Sequence, residues 1–282
     1  QMGGSRRHFA DPMEMLGASV DFAEDLGKAG IKVEGARIME VGTGRRIDIP
    51  IGLYLAGVGS TITMDVNRLV RGELAMQGLR AMQGKREEIL ELFSRVAPKA
   101  EVAQRFDSLM KTRSMQEVLK AASVEYVAPA DAAETGLPSG SIDAQISYTV
   151  FEHIPGPTLR KILLEANRIL KPGGVALHHI DPSDHFWHED KSISAINFLR
   201  FSDAKWEKLS GNPFGYHNRL RATDFEVIYR EAHQQVLRWE PTLSEEGLAL
   251  LKNGFPVDAG FRGKSVEDLA TVVLRVLSKP AA

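Results

Sequence analysis

The chain has 282 residues, a formal net charge of −2 and no cysteine, which excludes disulfides, zinc–thiolate sites and thiol catalysis. It is long enough to bury a sizeable core, and a pI near 6.5 gives no general pull toward nucleic acid or acidic membranes. Residues 1–10 contain no apolar leader run and no stretch approaches a membrane span, so the expectation is a cytoplasmic protein without nucleic-acid or membrane partners.

Residues 11–29 carry Met15, Leu16, Val20, Ala23 and Leu26 at helical spacing. Arg37–Val41 then reads as a short buried strand, and Glu40-Val41-Gly42-Thr43-Gly44 closes it with a glycine turn that lets backbone approach a nucleotide-like ligand. A dinucleotide fingerprint would place a third glycine at Ile47, so this turn departs from it. An acid before a short glycine turn suits a ligand ammonium better than a pyrophosphate. Asp48 is expected to cap a short helix with Pro50 in its first turn. Residues 60–65 form a second strand ending in Asp65, roughly twenty residues past the glycines, where a carboxylate meets a ribose diol.

Arg86–Val96 and Glu101–Lys120 read as inserted helices, with a lid or a homodimer contact as their candidate roles. Val124–Val127 is a third strand, followed by Asp131-Ala132. Ile142–Val150 alternates strictly and reads as a fourth. Leu159–Leu170 is an amphipathic helix stopped by Lys171-Pro172-Gly173-Gly174, and Val175–Ile180 is the fifth strand. Thr223-Asp224-Phe225-Glu226 reads as a capping box opening a helix through Ala232. Gln235–Trp239 and the apolar Ala270–Leu277 complete the strands. Strands alternating with helices predict an α/β fold with a doubly wound, mostly parallel sheet.

Glu40-x-Gly42-x-Gly44, Asp65, Asp131-Ala132, Leu137-Pro138, Phe151-Glu152-His153-Ile154 and Leu170-Lys171-Pro172-Gly173-Gly174 together resemble the class I S-adenosylmethionine-dependent methyltransferases, in the branch that methylates small molecules. The resemblance spans about half the chain, from Ala36 to Asp181, and implies a seven-stranded Rossmann-like sheet whose last strand is antiparallel. It further implies that Gly42, Thr43 and Gly44 pass under the methionine part of the cofactor, with Glu40 at its ammonium. Asp65 with Val66 would take the ribose, Asp131 with Ala132 the adenine, and Tyr148 would lie along the same pocket. Arg46 stands where the family often has a third glycine, which makes Arg45 or Arg46 a candidate contact for the cofactor carboxylate.

Five of the eight histidines lie between His178 and His217, beginning at the carboxyl end of the fifth strand, the edge that faces ligand in open α/β sheets. Methyl transfer needs an aligned nucleophile that has lost its proton, and histidine is the commonest base for that task. The candidates are His185, His179 and His178, with Asp181 or Asp184 orienting an imidazole. His178 and His179 fall on opposite strand faces, so at most one serves a pocket. The same histidines with Asp181 and Asp184 alternatively suit a divalent metal such as magnesium or calcium. Residues 184–221 mix Phe186, Trp187, Phe198, Phe201, Trp206, Phe214 and Tyr216 with Arg200, Lys205, Arg219 and Arg221, which reads as a substrate lid or a packed flap.

The expected organisation is an N-terminal helical arm (1–35), a cofactor core (36–181) with a helical insertion near 67–123, a lid (182–222) and a closing helix–strand segment (223–282). The expected function is O-methylation of a small molecule such as a sugar or secondary metabolite, using a histidine base. N- or carboxylate methylation, a non-catalytic cofactor-binding scaffold and a nicotinamide oxidoreductase are the competing readings.

Overall fold

The computed structural model describes residues 11–210 and 216–281; Phe214 of the aromatic series lies outside these. Seven strands, β1 (Arg37–Val41), β2 (Ser60–Met64), β3 (Val124–Val127), β4 (Ile142–Tyr148), β5 (Leu170–Ile180), β6 (Gln234–Leu243) and β7 (Thr271–Pro280), pair in the order β3-β2-β1-β4-β5-β7-β6. The chain divides into two compact units: Gln1–Ile146 with Arg168–Leu177, and Ser147–Asn167 with His178–Ala282.

In the first unit β1, β2 and β3 are parallel, with Glu40 in register with Thr63 of β2 and Ile146 of β4. β1, buried from Ile38 to Val41, and the edge strand β3, with only Val124 fully buried, both keep the bounds expected from sequence. Around them pack α1 (Met13–Lys28), α2 (Asp48–Leu55), α3 (Gly72–Gln83), α4 (Arg86–Phe93), α5 (Lys99–Met110) and α6 (Met115–Ala121). Their apolar stripes, among them Leu16, Val20, Ile51, Leu79, Phe93, Phe106 and Val118, form one buried cluster. A Cβ on Gly52 would fall 2.2 Å from Ser19 Oγ, so this glycine sets how closely α2 meets α1.

Several local expectations need correcting. The 101–120 stretch is two helices, because Ser114 caps α6 by accepting from the Glu117 amide. Asp48 lies inside α2 rather than capping it, its carboxylate held by Arg46 Nε at 2.5 Å. Lys171–Gly174 falls within β5, where Lys171 Nζ reaches both Asp143 oxygens at 2.8 Å.

The second unit carries α7 (Gly156–Ile169), α8 (Phe186–Glu189), α9 (Asp203–Ser210), α10 (Ala222–Glu231), α11 (Glu245–Lys252) and α12 (Val266–Ala270). β6 and β7 are antiparallel, as the resemblance implied. α10 starts one residue before Thr223: Asp224 accepts from the Arg221 amide at 2.9 Å, while the Thr223 hydroxyl donates to Asp268 at 2.5 Å. Phe198, Trp206 and Phe261 pack with Ile196, Leu199 and Leu269 into a small core, so these aromatics are spent on packing. Arg221 is fully buried and donates to the carbonyls of Pro182 (2.6 Å), Asp268 (3.3 Å) and Thr271. Arg219 donates to the carbonyls of Phe198 and Phe201 and pairs with Asp203. Both arginines therefore staple this segment to its own backbone instead of offering donors to a ligand. Among the described residues no helix is long and apolar enough to cross a membrane.

Candidate active site

The first unit builds a cradle at the end of β1. Glu40 is 3 % exposed, and burial pushes its carboxyl up to about 8 against the opposing hydrogen bond from the Thr63 hydroxyl at 2.5 Å. Asp65 and Asp48 add to the upward push by charge repulsion. Thr43 and Thr63 hydroxyls meet at 2.6 Å, so Thr43 joins the same chain of hydrogen bonds. Gly42 and Gly44 have φ of 84° and 66°, the left-handed region that favours glycine. No atom lies within 4 Å of where a Gly44 Cβ would point, which leaves open space over the turn.

Asp65 braces that turn from the next strand. Its oxygens accept from the Gly44 amide at 2.9 Å and the Asn67 amide at 2.8 Å, and each keeps a second lone pair for a ligand hydroxyl. Val66 is exposed, Ala132 is buried, and Asp131 is exposed with one oxygen capping the Ala133 amide. Arg45 is exposed, whereas Arg46 is largely enclosed, with both terminal nitrogens lacking a hydrogen-bond partner.

The second unit gathers the histidines. His178 is fully buried, stacked on Phe151 with 4.1 Å between centroids and hydrogen-bonded through Nδ1 to the Tyr229 hydroxyl at 2.5 Å. Burial pushes its imidazole down to about 3, which marks it as a packing residue. His179 faces the Tyr148 ring at 4.6 Å. The next residue, Thr149, has φ of 50°, an uncommon conformation for a β-branched side chain, with its amide bonded to the His179 carbonyl.

Beyond β5 the carboxylate of Asp181 takes a hydrogen bond from His188 Nε2 at 3.0 Å and lies 3.8 Å from His185 Nε2. Burial would raise this acid, but hydrogen bonds from His188 and Ser183 hold it well below the usual carboxylate range. Burial pushes His185 down to about 4, so at pH 7 it is neutral and its attraction for Asp181 is absent. Asp184 is fully buried, accepts from the Phe186 amide and shapes the loop.

Two groups escaped the sequence reading as site residues. Glu152 and His153 sit on a 3₁₀ turn, Phe151–His153, clamped by Asn218, whose side-chain nitrogen donates to the carbonyls of Phe151 (2.7 Å) and Ile154 (2.8 Å). His217 lies beside His185, with ring centroids 4.5 Å apart. Their signals in the sequence were the Phe151-Glu152-His153-Ile154 motif after β4 and the histidine cluster from His178 to His217, to which His188 and His217 belong.

The fold is that of the Rossmann-like methyltransferases, a seven-stranded α/β sheet closed by an antiparallel strand. Residues 96–178 match the family profile described as Methyltransferase domain. Residues 96–178 thus carry the profile of a methyltransferase domain, and over the rest of the chain the likeness to the class I S-adenosylmethionine-dependent methyltransferases is one of fold. Among solved structures, a protein assigned as a sarcosine dimethylglycine methyltransferase from Galdieria sulphuraria is 15 % identical, with a TM-score of 0.50 over 94 % of this chain and 85 % of that one. Magnesium protoporphyrin IX methyltransferase from Synechocystis PCC 6803, with bound S-adenosylhomocysteine, is 13 % identical, with a TM-score of 0.49 over 100 % and 89 %. A protein assigned as a methyltransferase from Bacillus halodurans is 16 % identical, with a TM-score of 0.44 over 92 % and 96 %. No curated protein matches. At the end of β1 the first unit thus brings together a buried acid, an open glycine turn and two guanidinium nitrogens of Arg46 without hydrogen-bond partners, a donor and acceptor set of the kind an amino-acid-like ligand would need.

Proposed function

We propose that this enzyme transfers a methyl group from S-adenosylmethionine to a hydroxyl oxygen of a small cytoplasmic metabolite, with a sugar or other polyhydroxylated compound as the favoured acceptor. The cofactor supplies an electrophilic sulfonium methyl. Glu40 would meet its ammonium, Arg46 its carboxylate, Asp65 its ribose and Asp131 with Ala132 its adenine. Tyr148 and Val66 remain candidate contacts.

The observation that supports an oxygen acceptor is the Asp181–His188 pair at 3.0 Å. An ionised Asp181 accepts from Nε2–H, which fixes the tautomer and leaves the Nδ1 lone pair of His188 as base. A hydroxyl needs such a base, because its proton must leave as the new C–O bond forms. His185, also beside Asp181, is the reserve candidate; His179 is third, and His178 is removed by its burial.

The test is methyl-labelled S-adenosylmethionine with matched hydroxyl and amine acceptors. The expected product carries label on oxygen, and His188→Ala lowers turnover by roughly two to four orders of magnitude. Transfer to nitrogen, or an unaffected His188→Ala, would overturn the assignment.

A further inference from the structure

We propose that Glu152, His153 and His185 form a binding site for one divalent transition-metal ion. The candidate ligand atoms of these three residues, one oxygen and two nitrogens, lie within 4.8 Å of one another. Metal bonds of about 2.0–2.2 Å place adjacent donors roughly 3 Å apart, so closing the set takes side-chain rotation of the order of 1–2 Å.

Two features of the site are what a metal requires. His153 Nδ1 lies 2.8 Å from the Tyr216 carbonyl, which can only accept. Nδ1 therefore carries the proton and Nε2 keeps its lone pair, the outer hydrogen bond that orients metal-bound imidazoles. Glu152 is the second. It is fully buried, and neither carboxylate oxygen has a hydrogen-bond partner of good geometry. A dication satisfies the carboxylate outright.

A second trio, Asp181, His185 and His188, shares His185. The Glu152 trio is preferred because Asp181 is already engaged by His188 at 3.0 Å and the Ser183 amide at 3.0 Å. His217, buried with both ring nitrogens unpartnered, lies 4.5 Å from His185 between ring centroids and offers a hydrogen bond to a metal-bound water or hydroxyl. Two imidazoles and one carboxylate favour Zn²⁺, Fe²⁺, Co²⁺ or Mn²⁺ over magnesium and calcium, which prefer all-oxygen shells. Resting on the function proposed above, the ion would bind the acceptor hydroxyl and lower its pKa, and His188 would take the proton.

The experiment strips the full-length protein with chelator and titrates Co²⁺, followed by visible absorption, and Zn²⁺, followed by calorimetry, with S-adenosylmethionine binding measured on the same preparation. Expected is one ion per chain, weakened at least a hundredfold in His153→Ala and in the near-isosteric Glu152→Gln, with His188→Ala and Asp181→Asn retaining it. Far-UV circular dichroism and retained S-adenosylmethionine affinity show that the variants are folded. No ion bound by a wild-type protein that still binds S-adenosylmethionine would overturn the metal site alone. Loss confined to the Asp181 and His188 variants would overturn the choice of ligands.

Discussion

Glu40→Gln tests the cradle through a property that needs no acceptor. In the folded protein the Glu40 carboxyl holds its proton up to about pH 8, against an ordinary value of 4.5. The folded state therefore keeps a proton that the unfolded chain loses, and stability falls as pH rises between those values. Each pH unit costs about 1.4 kcal/mol, so from pH 5 to pH 8 this one carboxyl removes on the order of 4 kcal/mol. Glutamine keeps an acceptor for the Thr63 hydroxyl and cannot ionise. Urea unfolding of both proteins at pH 5, 6, 7 and 8 should show the variant gaining steadily on wild type across that range. Parallel pH profiles would refute the reasoning, because they would mean that Glu40 is not held protonated by burial. Cofactor binding then carries the opposite sign: an ammonium beside Glu40 favours the carboxylate. Wild type should release close to one proton on binding near pH 7, measured by calorimetry in buffers of different ionisation enthalpy, and Glu40→Gln should not.

Asp65→Ala removes both the ribose acceptor and the brace on the Gly44 and Asn67 amides. Cofactor binding should weaken by about 1.5–3 kcal/mol in a folded protein, and an unchanged dissociation constant would reject the assignment. Gly44→Val meets open space but must adopt φ near 66°, so the sheet should survive while calorimetry shows cofactor binding lost. Arg221→Met leaves the Pro182, Asp268 and Thr271 carbonyls without their donor and should lower stability by about 3 kcal/mol in urea, whereas a ligand-facing arginine would leave it unchanged.

What sequence made legible follows the range of each signal. β1 and β3 were readable because short β-prone segments bounded by turns are a local pattern, and the glycine turn with Asp65 could be placed because a parallel sheet repeats that spacing. α3 was missed: it opens after Arg71 without a capping side chain and carries Gly78 in its interior, where glycine weakens the helical signal. The break before α6 was in fact written in Ser114-x-x-Glu117, a capping pattern hidden between two apolar stripes. Arg219 and Arg221 looked like ligand donors because buried arginines are rare, and only the fold reveals the carbonyls that satisfy them. The Glu152–His153–His185 cluster joins residues far apart in the chain, which no spacing rule can bring together.

Thermal unfolding of the purified protein with saturating S-adenosylmethionine, beside NADH as a control, tests the central claim most directly. The account predicts a raised melting temperature with S-adenosylmethionine alone and a one-to-one calorimetric isotherm that Asp65→Ala weakens. A rise with NADH, or none with S-adenosylmethionine, would contradict it.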